Sequence, residues 1–155
     1  GKHGLKIIDS SYNAHLISME SIMDMAAQIK EEPKWLVIGD MVEQGSIEKE
    51  EHEKLAAALI KVKPAQIVLL GRRTRDYTAP LLIKQHIPVY TTNEPREALK
   101  FIEENIKGGE TIVFKGSQYL EWIIEKLLKN PADAKKLPRR EKAAIKRRKN
   151  RGLDS

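Results

Sequence analysis

Cysteine is absent from all 155 residues, which excludes disulfides and thiolate chemistry and agrees with a reducing, cytoplasmic setting. No run approaches the ~18 consecutive apolar residues of a membrane span, and no signal-peptide pattern opens the chain. Gly1 reads as a tag remnant or a cut inside a longer protein, so a missing leader at this end carries little weight. Neither standard phosphate cradle is present: there is no GxxxxGK(S/T) loop and no GxGxxG after the first apolar run. The four histidines (His3, His15, His52 and His86) are scattered rather than grouped at metal-ligand spacing. A GxSxG nucleophile elbow is missing too. The chain therefore offers contact residues without a complete catalytic apparatus.

What is present is an ordinary globular composition, 41% hydrophobic and 32% charged, long enough for one domain with a real core. The net charge of +6 is unevenly placed. Residues 130–155 hold 10 bases against 3 acids, whereas residues 1–129 hold 18 bases against 19 acids. A nearly neutral globular part, residues 1–129, is thus expected to carry a basic tail, residues 130–155, that is helical on propensity or disordered.

Five short apolar runs alternate with helical patterns. The spacing predicts strands over residues 5–9, 35–39, 66–70, 87–90 and 111–114. Between them, Met19, Ile22, Met23, Ala26 and Ile29 form one stripe at helical spacing, with Ser18 as the expected N-cap. His52, Leu55, Ala56, Leu59 and Val62 form a second stripe. A third helix is expected over residues 72–85, shortened or kinked by Pro80. A fourth runs over 94–106, and a fifth is opened by Ser117. Strands and helices alternating this regularly argue for an α/β fold with a doubly wound, mostly parallel sheet of about five strands and flanking helices.

In such a sheet the residues that follow each strand gather at one end, where these folds bind ligands. Asp9 ends the first strand and Ser10, Ser11 and Asn13 follow it; there they either contact a ribose or make turn and capping bonds. Asp40 follows Gly39 in the same place on the second strand. His52 lies on an otherwise apolar helix face, as a packed, hydrogen-bonded residue or as a site residue. Lys115-Gly116-Ser117 combines a tight turn, an expected helix start and a full positive charge, which suits a carboxylate or phosphate. Arg72, Arg73 and Arg75 follow the third strand, as anion ligands or as a solvated helix start.

Taken in order, these segments resemble the C-terminal domain of the Mur ligase family, closest to its D-alanyl-D-alanine-adding (MurF-type) branch. The carriers are IDSSYNAHLISM at residues 8–19, IGDMVEQG at 38–45 followed by His52, and VFKGS at 113–117. The resemblance covers about residues 4–129. It implies a Rossmann-like domain of a cytoplasmic, three-domain ligase of peptidoglycan precursor synthesis. An N-terminal domain would hold the UDP-N-acetylmuramoyl peptide, and a central domain would carry the P-loop, ATP and Mg2+. The domain resembled here closes the cleft and brings D-Ala-D-Ala, without catalysis of its own. By the same resemblance Asp9, Ser11, Tyr12 and Asn13 line the nucleotide or hinge side. Asp40, Lys115 and Ser117 face the dipeptide, Lys115 pairs with its carboxylate, and His52 and Arg72 support the site.

Two departures from the family pattern keep a relative with another amino-acid acceptor open: Ser10 replaces a second Asp, and His15-Leu16 replaces Asn-Pro. The tail allows a third reading, a Rossmann-like binding module for a polyanion such as a nucleic acid. It lacks the interleaved aromatics needed to stack bases, and charge runs are usually solvated.

Overall fold

A computed structural model of the chain describes residues 4–10, 15–42, 44–116 and 119–128. The basic tail, Ser11, Tyr12, Asn13 and Ser117 lie outside the described residues. Five strands form one sheet: β1 (Lys6–Ser10), β2 (Lys34–Gly39), β3 (Gln66–Leu70), β4 (Val89–Thr92) and β5 (Thr111–Lys115). Their spatial order is β1-β5-β2-β3-β4 and every pairing is parallel. All residues of β2 and β5 are buried, as expected of inner strands covered on both faces. The edge strands β1 and β4 are mostly half-buried.

The helices are α1 (Leu16–Gln28), α2 (Glu48–Lys61), α3 (Ala79–Lys84), α4 (Pro95–Asn105) and α5 (Leu120–Leu127). Period-2 alternation along the strands sorts the core into two layers. Leu36, Ile38, Ile67, Leu69 and Val113 point toward Met19, Met23, Leu55, Leu59 and Leu82, from α1, α2 and α3. Trp35, Val37, Val68, Ile112 and Phe114 point toward Ala98, Ile102, Leu120, Ile123 and Ile124, from α4 and α5. The result is a three-layer sandwich with α1, α2 and α3 on one face of the sheet and α4 and α5 on the other.

Local chemistry adjusts the boundaries expected from sequence. Helix α1 starts at Leu16 with His15 as N-cap, not at Ser18. Ser18 sits one turn inside, where its Oγ accepts from His15 N at 3.1 Å and donates to His15 O at 2.9 Å. Its C-terminus is closed by the buried Lys34, whose Nζ donates to Ala26 O and Ile29 O. Residues 72–84 are helical, but Pro80 is accommodated by a π-helical turn, Thr74–Thr78, that widens the coil before α3. Strand β4 begins at Val89 rather than residue 87, because Ile87 N still donates to Leu82 O and closes α3. The last helix runs from Leu120, directly after Tyr119 at φ 63°; the expected opening at Ser117 lies outside the described residues.

At their carboxyl ends β2 and β5 approach until backbone meets backbone. A Cβ on Gly116 would lie 2.4 Å from Gly39 N, and Gly116 has φ +145°. Gly116→Ala therefore forces the two strand ends apart. It is expected to cost roughly 2 kcal/mol or more, read as a lower urea midpoint at unchanged m-value.

Candidate functional site

Strand β5 lies between β1 and β2, yet the helix that follows it covers the opposite face from the helices that follow its two neighbours. The carboxyl end of β5 is therefore a topological switch point, with a crevice on either side, the usual ligand position in open α/β sheets. Lys115 occupies that end. It is in register with Ser10 of β1 and Ile38 of β2, and Asp9 is in register with Phe114. Lys115 is two residues beyond Val113, so it stands above the α1/α2 layer. The lysine is only 3% exposed. Burial pushes its ammonium below the usual lysine range, and the Asp9 carboxylate acts against that shift.

Asp40 follows β2 and is buried as well. Its Oδ2 accepts from Arg73 N at 2.9 Å, and its Oδ1 accepts from Thr74 N and Thr74 Oγ1, both at 2.9 Å. Residues 72–84 begin a helix at that point, so the carboxylate caps free N–H groups at the positive end of the helix dipole. The fit requires Gly71, because a Cβ there would lie 2.3 Å from the carboxylate. The Arg73 guanidinium bridges Asp40 and Glu48. Its hydrogen bond holds the Glu48 carboxyl below the usual range and raises the guanidinium further.

His52 is fully buried in α2. Its Nε2 accepts from Met41 N at 3.1 Å, and its Nδ1 lies 2.7 Å from Glu48 O. Arg72 is exposed beside this network, and its charge adds to the lowering of Glu48 and of Asp76.

Asp9, Asp40 and Lys115 thus gather at one end of the sheet, with His52 beneath the Asp40 loop and Arg72 on the rim. Sequence reasoning singled out Arg72 among three nearby arginines, whereas Arg73 is the one built into the network. Glu48, Gly71 and Thr74 were not singled out at all. The available signal was the Gly-Arg-Arg-Thr run directly after the third strand, a glycine turn feeding a helix start. Among the described residues no group of three or more His, Cys, Asp or Glu is disposed to hold a metal ion. Nor is any described helix long and apolar enough to cross a membrane.

A family model described as the Mur ligase, glutamate ligase domain matches residues 1–118. The chain is 30% identical over 134 residues to the UDP-N-acetylmuramoyl-tripeptide--D-alanyl-D-alanine ligase of Bacillus subtilis (strain 168), covering 83% of this chain and 29% of that protein. A crystal structure of MurF from Acinetobacter baumannii superposes with a TM-score of 0.67 at 25% identity, over 84% of this chain and 29% of that one. MurF ligase from Thermotoga maritima, in complex with ADP, gives 0.67 at 21% identity, over 88% and 30%. At that identity the Thermotoga likeness speaks for the fold alone. The chain spans less than a third of the length of each of these relatives.

Two substitutions test the site's energetics. Asp40→Asn removes the charge and sets an amide donor against either the Arg73 or the Thr74 donors, and is expected to lower stability by about 2 kcal/mol in a urea titration. Lys115→Met is expected to have a higher urea midpoint than the wild type at pH 7. The unfolded chain holds the lysine proton more tightly than the folded one, so wild-type stability rises as pH climbs from the depressed folded value toward about 10.4. The margin of Lys115→Met should therefore close over that window. A margin independent of pH would mean that lysine desolvation is not its source.

Proposed function

We propose, from the premise that this chain belongs to the Mur ligase family as its C-terminal, glutamate ligase domain, that it is the substrate-closing part of a longer ATP-dependent amide ligase. In this reading it receives D-alanyl-D-alanine and brings it to a UDP-N-acetylmuramoyl peptide held by an N-terminal domain. A central domain with the P-loop completes the enzyme, which works in the cytoplasm on peptidoglycan precursors. The observation that carries the reading is the buried Lys115 at the switch point of the sheet.

Lys115 brings a positive charge to the crevice at the end of β5, beside Asp9, and a carboxylate is the matching group for an ammonium. Lys115 receives the dipeptide carboxylate, with Ser117 beside it. Asp40 shapes the same wall by fixing the Arg73 and Thr74 backbone, and His52 and Arg72 support it. Asp9, Ser11, Tyr12 and Asn13 form the nucleotide or hinge side. ATP, when bound, supplies the activating phosphoryl group. In this reading the domain's own work is to bind, orient and exclude water.

In the multidomain ligase, Lys115→Ala is expected to raise the KM for D-alanyl-D-alanine about tenfold or more, as loss of a charge-assisted hydrogen bond should, with the KM for ATP little changed. Unchanged dipeptide kinetics would remove Lys115 from the site. The 155-residue chain alone is expected to turn over no ATP, and measurable turnover would contradict the assignment of catalysis to other domains.

A further inference from the structure

We propose that His52 is a positioning residue for the carboxyl-end rim: as the neutral Nδ1–H tautomer it fixes the Met41 backbone, and through it the Asp40 carboxylate that caps residues 72–84. The proposal rests on the reading above only in taking that rim as the ligand side. The tautomer follows from the partners. Met41 N–H is a donor, so Nε2 must present its lone pair. The proton then sits on Nδ1, which donates to Glu48 O at 2.7 Å.

Core packing alone does not call for an imidazole here. The neighbours on the same stripe, Leu55, Ala56 and Leu59, are apolar and fully or nearly fully buried, and a leucine would fill comparable space without polar groups to satisfy. What the ring adds is direction. Asp40 precedes Met41 in the chain, so anchoring the Met41 amide sets where its carboxylate points. The same turn of α2 holds the groups that the carboxylate meets. The Glu48 side chain binds Arg73, and His52 O accepts from Thr78 Oγ1 at 2.7 Å, inside the π-helical turn. Both halves of the Asp40 cap, acceptor and donors, are thus referenced to one helical turn. A rim held in this way is preorganised rather than shaped by the ligand. Widened turns of this kind are frequent at functional sites.

Two substitutions separate the two ring nitrogens. His52→Asn keeps a donor near the Nδ1 position and loses the acceptor for Met41. His52→Gln carries a carbonyl oxygen to the Nε2 position and keeps that acceptor. In the 155-residue chain, amide hydrogen exchange at Met41, Arg73 and Thr74 is expected to quicken about tenfold or more in His52→Asn and to stay near wild type in His52→Gln. In the multidomain ligase, His52→Asn should raise the KM for D-alanyl-D-alanine with the KM for ATP unchanged, and His52→Gln should restore it. Equal behaviour of the two variants in exchange overturns the proposal. So does a wild-type 15N spectrum showing His52 as the Nε2–H tautomer or as imidazolium at neutral pH, a measurement that stands even if a variant fails to fold. Exchange that separates the variants while the dipeptide KM stays put supports the hold of His52 on the rim. That result would count against D-alanyl-D-alanine as the ligand there.

Discussion

The Asp40 carboxylate lies across Gly71, 2.3 Å from where a side chain would begin, and answers three donors from Arg73 and Thr74. This contact joins the end of β2 to the end of β3 and to the helix that follows. A carboxylate accepting several hydrogen bonds at a helix N-terminus is among the stronger polar contacts a protein makes, and a costly one to leave half-made. Much of the rim is arranged around it. Gly71 gives it room, Arg73 and Glu48 close it from the side, and His52 fixes the backbone from which it hangs. The neighbouring Gly39–Gly116 approach then brings β5, with Lys115, against the same strand end.

Lys115 and Asp40 put their charges to different uses. Asp40 is matched inside the fold and holds it together. Lys115 is desolvated against its own preference, with Asp9 opposing that cost. An ionisable group perturbed in this way at a sheet's switch point is a candidate for ligand contact.

The layers of the fold were legible because burial writes its period into the chain. Strands β2, β3 and β5 are continuous apolar runs bounded by glycine or polar residues, and the stripes on α1 and α2 repeat at helical spacing. Boundaries were less legible where a polar residue had two uses. Ser18 has the chemistry of an N-cap but serves from the third helical position, because His15 already adopts the extended capping backbone. Tyr119 takes a left-handed conformation directly before α5, and no local rule assigns that shape to a tyrosine.

In the site, the gathering of Asp9, Asp40 and Lys115 was legible because parallel strands put their carboxyl ends on one side of the sheet. The partners of Asp40 did not, since Arg73 is 33 residues away in sequence. Which of Arg72, Arg73 and Arg75 turns inward depends on helical phase after Gly71 and on where Asp40 and Glu48 stand in the fold. The choice between a merely packed and a positioning His52 likewise needed the Met41 amide, which only tertiary structure brings to the ring.

The most direct test of the account is an amide-resolved NMR titration of the multidomain ligase, labelled in this domain, with D-alanyl-D-alanine in the presence of a non-hydrolysable ATP analogue. The account predicts saturable shifts confined to Asp40–Met41, Arg73–Thr74 and Lys115–Gly116, and their loss in Lys115→Ala. Saturable shifts elsewhere in the domain, or none at these amides while the ligase is active on the dipeptide, would contradict it.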